Sequence, residues 1–182
     1  VNINITNRNG DTALYAASSS GHLNVVETLL KRSKKIDVNR GTTDEGCSPL
    51  YIASQYGHTK IVQALLTSYH IDVNKKANGV TPLFIASQQG HVNIVTLLLQ
   101  SCSRTRIDAN IQIHNGASPL IISAYLGNAS CVKQLLSHSS NIVTTLLFQE
   151  QTAFFWCQAD SRADEWTFLE SKINVEGRAK IV

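Results

Sequence analysis

Histidine, serine, acidic and cysteine side chains are the groups of this chain that could do chemistry, so their spacing comes first. His22, His58 and His91 each follow a glycine and recur at a regular interval. A side chain that recurs in phase is typical of a structural role, so we interpret these three as residues at the start of a helix. Serines are abundant, but no strained-turn motif or fixed spacing joins one to a histidine and an acid, as a hydrolase triad would require. A phosphate-binding glycine loop is absent as well, so the sequence predicts no enzyme.

The four cysteines do not form a metal or disulfide pattern. Cys47, Cys102, Cys131 and Cys157 are far apart, with no C-x-x-C motif and no histidine at ligand spacing. Zinc sites and disulfide frameworks need such clustering. The sequence therefore predicts no metal and no cofactor. Buried, reduced thiols are the expected state, and they fit an intracellular protein, most simply a cytoplasmic one.

The basic run Lys31-Arg32-Ser33-Lys34-Lys35 is the sharpest charge feature. Such a run could contact the phosphates of a nucleic acid or a nucleotide. It also falls at the predicted end of a helix, where cations favour the negative end of the helix dipole. The net charge of +3 gives no general argument for nucleic acid or an anionic membrane, and the apolar runs are too short to span a membrane. Nucleic-acid or nucleotide binding through residues 31–35 stays an alternative function.

The elements that would hold these residues are repeated along the chain. Four segments correspond at spacings of 36, 33 and 37 residues: Thr12-Ala13-Leu14-Tyr15, Ser48-Pro49-Leu50-Tyr51, Thr81-Pro82-Leu83-Phe84 and Ser118-Pro119-Leu120-Ile121. Each has a glycine two residues before it and another nine residues after its Thr or Ser. The hydroxyl predicts a helix N-cap, proline suits the first helical residue, and the later glycine predicts the end of a short helix.

A second helix is predicted after each of these short helices. Its apolar pairs lie four residues apart and so share one helix face: Val25-Val26 with Leu29-Leu30, Ile61-Val62 with Leu65-Leu66, Ile94-Val95 with Leu98-Leu99, and Cys131-Val132 with Leu135-Leu136. Ile36-Asp37-Val38-Asn39 and its counterparts at 71–74 and 107–110 then lead through a turn to the next glycine. One such helix pair cannot bury its apolar face alone, but stacked pairs can. The periodicity therefore predicts an elongated solenoid.

The recurring pattern G-x-T-P-L-x-x-A-x-x-x-G-H, followed by I-V-x-x-L-L and D-V-N, resembles the ankyrin repeat. The resemblance implies an all-α repeat solenoid of stacked helix-turn-helix units, with β-turn finger loops and a concave surface that usually binds other proteins. We expect one domain over 1–182. Its repeats would cover 8–42, 44–77, 77–112 and 114–147, with a degenerate capping repeat at 148–180 that begins its first helix at Thr152 and lacks both glycines. Residues 1–7 look like the end of a preceding repeat, with Val1-Asn2 matched to Val38-Asn39.

The chain departs from the family at one place in every repeat. Where ankyrin repeats commonly have histidine after T-P-L, this sequence has other residues: Tyr15, Tyr51, Phe84, Ile121 and Phe155. The usual hydrogen bond from that histidine to the capping threonine is then unavailable. We expect aromatic packing between neighbouring repeats to take its place.

A partner is expected to contact residues that break the repeat and point outward. By resemblance to the family, these residues line the concave face: Arg8, Asp11, Asp44, Glu45, Gln55, Tyr56, Asn78, Val80, Gln88, Gln89, His114, Asn115, Tyr125 and Leu126. Tyr56, Tyr125 and Leu126 are the predicted anchors; alternatively, the two tyrosines only pack against the neighbouring repeat. The predicted function is a monomeric, non-catalytic scaffold or adaptor module that binds another protein. A targeting module attached to an enzyme elsewhere in a longer protein is a further alternative.

Overall fold

The computed structural model describes residues 2–32, 35–101, 106–138, 147–148 and 151–152. In this part of the chain, eight helices follow one another: α1 (Ala13–Ser19), α2 (Leu23–Arg32), α3 (Pro49–Gln55), α4 (Thr59–Leu66), α5 (Pro82–Gln88), α6 (Val92–Gln100), α7 (Pro119–Tyr125) and α8 (Ala129–His138). Two short antiparallel strands come later, β1 (Leu147–Phe148) and β2 (Gln151–Thr152). The four helix pairs confirm the predicted repeat solenoid. One pair with its preceding finger loop is called a unit below.

Each first helix begins at the predicted capping residue. The hydroxyls of Thr12, Ser48, Thr81 and Ser118 accept from the backbone N–H three residues later, at 3.1 to 3.3 Å. Each cap has an extended backbone, as an N-cap requires. These local bonds satisfy an N–H that the helix itself leaves unpaired, which explains why such short helices start where they do.

The helices form two layers along the stack. The first helices α1, α3, α5 and α7 pack in sequence against one another, and the second helices α2, α4, α6 and α8 do the same. Between the layers lies one continuous apolar core, in which Leu50, Leu83 and Leu120 of the first helices meet Val62 and Val95 of the second helices, all buried. Stability therefore comes from contacts between successive units.

Asparagine side chains join the turns of neighbouring units. Asn39 Nδ2 donates to the carbonyl of His70 at 2.7 Å, and Asn39 Oδ1 accepts from the N–H of Asp72 at 2.8 Å. Asn74 makes the same pair of bonds to Arg106 and Asp108, at 2.8 and 3.1 Å. The D-V-N residues predicted as turn formers thus also link one unit to the next.

The same ladder corrects the register predicted for the start of the chain. Asn4 Nδ2 donates to the carbonyl of Lys35 at 2.9 Å, and Asn4 Oδ1 accepts from the N–H of Asp37 at 2.8 Å. Asn4 therefore takes the place of Asn39, and the matching of Val1-Asn2 to Val38-Asn39 is wrong by two residues. Sequence similarity misled here because Ile3 replaces the expected valine, whereas the hydrogen bonds depend on the asparagine.

The large residues after the capping segment pack between units, as expected. Tyr51 lies in a small buried cluster with Cys47, Ala77 and Ile85, and Tyr15 packs against it from the preceding unit. Phe84 and Ile121 are buried in the main core. Phe155 lies outside the described residues.

Strands β1 and β2 fall where the finger of the degenerate repeat is predicted. Leu147 pairs with Thr152, much as Thr6 pairs with the capping residue Thr12 in the first finger. Residues 139–146, 149–150 and 153–182 lie outside the described part of the chain. The degenerate repeat at 148–180 therefore stays a prediction.

Candidate protein-binding surface

Backbone hydrogen bonds connect the first three finger loops into a row. The N–H and the hydroxyl of Thr43 both donate to the carbonyl of Asn9, at 3.2 and 3.0 Å. The N–H of Asn78 donates to the carbonyl of Glu45 at 3.1 Å. Asn78 has φ of 47°, a left-handed conformation that asparagine tolerates better than most residues. The predicted site residues of the first three fingers are therefore held on a connected surface.

Bonds between units also hold the ends of the first helices. The Nε2 atom of His58 is 3.1 Å from the carbonyl oxygen of Ser19, and that of His91 is 3.2 Å from the carbonyl oxygen of Gln55. Asn128 donates to the carbonyls of Ser87 and Gln88 in the same way. These side chains satisfy carbonyls that a helix end leaves unpaired. Their role is structural: they stand at the start of their own helices and also bind the end of the first helix in the preceding unit.

The structure leaves most of the predicted site residues accessible. Ten are exposed: Arg8, Asp44, Glu45, Tyr56, Asn78, Gln89, His114, Asn115, Tyr125 and Leu126. Four are partly buried: Asp11, Gln55, Val80 and Gln88. Val80 packs against both apolar clusters, so much of its side chain serves the fold.

The predicted anchors lie at the ends of first helices. Tyr56 follows α3, Tyr125 is the last residue of α7, and Leu126 caps that helix. Their exposed fractions are 56%, 44% and 45%. About half of the surface of each residue is thus accessible. The alternative, in which the two tyrosines only pack against the neighbouring repeat, stays a prediction.

A comparison with family models decides what kind of chain carries this surface. The model for ankyrin repeats, which contains three copies of the repeat, matches residues 1–77, 34–111 and 69–146. The chain belongs to the ankyrin repeat family. Ankyrin repeats generally mediate protein–protein interaction, and the family is typically non-catalytic. No curated protein matches the sequence.

Acidic residues gather in the first two ankyrin fingers. The Thr42 hydroxyl, followed by the backbone N–H of Glu45, donates to the Asp44 carboxylate and holds its pKa below the usual range. The Cys47 thiol lies 3.4 Å from Glu45 Oε2. Burial, together with Glu45, raises the pKa of this thiol to about 12. The Asp44 carboxylate therefore stays charged, while the thiol stays neutral and unreactive.

Tyr15 is expected from the sequence only to pack between neighbouring repeats, but part of its surface is exposed. It is partly buried, and burial followed by the nearby Cys47, Asp11, Tyr56 and Asp44 raises the pKa of its hydroxyl to about 12. The negative charges of Asp11 and Asp44, which belong to different fingers, therefore both act on this hydroxyl. One feature of the sequence could have indicated this exposure. Ile121 shows that an apolar side chain is sufficient at the corresponding place in the fourth repeat, so the polar hydroxyl of Tyr15 is not needed for the core.

The basic run at the end of α2 is partly neutralised. Lys31 Nζ forms an ion pair with Glu27 Oε2 at 3.0 Å, one helical turn apart. Lys31 and Arg32 lie in the last turn of the helix, where the helix dipole favours cations. Ser33 and Lys34 lie outside the described residues. Nucleic-acid binding at 31–35 stays a prediction.

None of the described ankyrin helices is long and apolar enough to cross a membrane. Among the described residues, no three histidine, cysteine or acidic side chains are grouped so that they could hold a metal ion.

Proposed function

We propose that this chain is a non-catalytic interaction module that binds another protein across its fingers and first helices. The observation that carries the proposal is the exposure of Tyr56, Tyr125 and Leu126 on the ends of first helices. The residues that define the repeat are buried or bonded between units, so the fold already accounts for them. Exposed aromatic groups on a rigid surface are typical of binding hot spots.

The test is a double variant, Tyr56→Ala with Tyr125→Ala, immobilised and used to capture proteins from cell lysate. A hot-spot tyrosine contributes about 2 kcal/mol or more, which corresponds to roughly a 30-fold weaker Kd for each residue. We expect the proteins that the wild-type chain captures specifically to be lost from the variant. The melting temperature should change little because both side chains are half exposed.

Tyr69→Ala provides the matched control. Tyr69 is 60% exposed but lies in the turn after α4, away from the ends of the first helices. Its replacement removes a similar exposed ring without touching the proposed surface. Capture that survives the double variant, or that is lost equally with Tyr69→Ala, would contradict the proposed surface.

The module is further proposed to act as a monomer inside the cell. Cys47 and Cys131 are buried free thiols, which suit a reducing compartment. Light scattering on the purified chain should show a single monomeric species, and a tagged chain should remain in the cytoplasm. A stable dimer or a secreted product would refute this part of the proposal.

A further inference from the structure

The first unit exposes side chains whose counterparts in the later units are buried. Val25 is 47% exposed, whereas Ile61 and Ile94, which occupy its place in the next two units, are 2% and 0% exposed. Leu29 is only partly buried, whereas its counterpart Leu65 is fully buried. We call the side of the first unit that carries these groups its outer face, and its members are Ala16, His22, Val25 and Leu29.

The counterpart of Ala16 shows which neighbour covers this side of a unit. Ile85 takes that place in the third unit, and it is buried in a cluster with Tyr51 and Cys47 of the second unit. This side of a unit therefore packs against the unit before it. Ala16 is exposed, because the described residues include no helix pair in front of α1 and α2.

His22 takes the place of two histidines that bind the preceding unit. The Nε2 atoms of His58 and His91 each lie close to a carbonyl oxygen at the end of a first helix in that unit, at 3.1 and 3.2 Å. His22 is exposed, and its ring has no hydrogen-bond partner among the described residues. It thus has the side chain for a bond between units without the carbonyl that would complete it.

The turn at residues 2–4 has the conformation that links units elsewhere in the stack. The N–H of Asn4 donates to Asn2 Oδ1 at 3.1 Å. The N–H groups of Asn39 and Asn74 donate in the same way to an aspartate two residues earlier, at 3.0 Å. In those units the turn follows a second helix, α2 or α4, and leads into the next finger. The first finger is therefore entered as if from a second helix.

The outer face has the residue types of an interface inside the stack. Val25 and Leu29 lie four residues apart and so share one side of α2. A terminal unit of a repeat protein usually presents a polar outer face to water, whereas these two side chains are apolar, like their buried counterparts. Covering them would remove apolar surface from water, which favours stacking.

We propose that the outer face stacks against a further ankyrin unit of the same polypeptide, encoded directly before Val1. A carbonyl at the end of its first helix accepts from His22, and Val25 and Leu29 pack against its helix pair. The occupant is selected by continuity with the interfaces between the described units, and by the turn at residues 2–4, which joins it to the first finger. The inference concerns stacking and does not depend on the proposed partner-binding surface.

Sequencing the transcript upstream of the Val1 codon tests which segment covers the face. The caps of the described units are 36, 33 and 37 residues apart. We therefore expect a Thr or Ser followed by apolar helix residues at 33 to 37 residues before Thr12, in the same reading frame, with a glycine nine residues after it. A reading frame that starts later, or that lacks this pattern, would overturn the inference.

Two adjacent valines then test the stacking itself. Val25→Thr and Val26→Thr are made both in the 182-residue chain and in the form extended through the upstream unit. Threonine has nearly the shape of valine but introduces a hydroxyl, which is unfavourable where it is buried without a partner. Val26 is 0% exposed, so Val26→Thr should lower the melting temperature of both forms. Val25→Thr should lower it only in the extended form.

His22→Ala provides an independent measurement of the same contact. It should lower the melting temperature of the extended form by roughly 1 to 6 °C, the shift that corresponds to one lost hydrogen bond, and leave the shorter form unchanged. His58→Ala is the control, because its bond to the Ser19 carbonyl is present in both forms and its cost should appear in both.

Equal effects of Val25→Thr in the two forms, or equal effects of His22→Ala, would overturn the stacking. Light scattering on the shorter form distinguishes the other occupant. A dimer that Val25→Asp dissociates would assign the outer face to a second copy of the chain and overturn the inference, whereas a monomer is the expected result.

Discussion

Gly57 follows the end of α3 and lies against His91 of the next unit. Its replacement by alanine should lower the free energy of unfolding in two ways, through backbone strain and through a clash with the His91 ring. Its φ is +77°, and an added Cβ would lie 2.8 Å from the His91 ring. The left-handed backbone alone costs alanine about 1 to 2 kcal/mol. Moving the ring also breaks the bond between His91 and the Gln55 carbonyl, which adds about 0.5 to 1.5 kcal/mol. We expect Gly57→Ala to lower the free energy of unfolding by about 1.5 to 3.5 kcal/mol.

Gly79→Ala is the matched comparison. Its φ is +83°, but no atom lies within 4 Å of the added Cβ, so only the backbone cost of about 1 to 2 kcal/mol applies. Urea unfolding followed by far-UV circular dichroism gives both values. In a His91→Ala background, the cost of Gly57→Ala should fall to that of Gly79→Ala. Equal costs for the two glycines in the wild-type background would refute the assigned contact between units.

Two further predictions concern buried polar groups. Ser18 Oγ is buried with no hydrogen-bond partner among the described residues, whereas Ser54 Oγ donates to the Leu50 carbonyl at 2.7 Å. Ser18→Ala should therefore stabilise the chain by about 1 kcal/mol and Ser54→Ala should not, as urea unfolding will show; stabilisation by both would contradict the difference. The pKa of Cys47 rises from 9.0 to about 12 and that of Tyr15 from 10.0 to about 12. The folded state thus keeps protons that the unfolded state releases, so stability should be complete below pH 9 and fall as pH rises toward about 12. Melting temperatures from pH 7 upward test this fall, and Cys47→Ala should make it shallower.

The helix starts were predictable because their interactions are local. The bond from Tyr51 N–H to the Ser48 hydroxyl, like its counterparts in the other units, spans three residues. A Thr or Ser followed by proline therefore predicts the start of a helix from the local sequence alone. The glycines at the helix ends are similar, since their positive φ is a property of a single residue.

Links between units were harder to predict because they join residues far apart in the chain. The bond between His58 and Ser19 spans 39 residues, and that between Asn39 and His70 spans 31. The histidines recur in phase, but phase alone does not identify their acceptors. The same limit explains the wrong register at Asn4, where apolar similarity and hydrogen bonding point to different residues.

The candidate site likewise has features that local sequence predicts and features that only packing between units decides. Residue order is enough to specify which positions vary between repeats, and hence that the repeat pattern itself does not require Tyr56 and Tyr125. Packing between units decides how exposed each side chain is, which leaves Val80 largely in the fold and keeps part of Tyr15 at the surface. The sequence of each unit is enough to predict that it is a repeat of this kind. The exposure of its side chains and the charges around them are set only when the units stack, because each unit then excludes solvent from part of its neighbour.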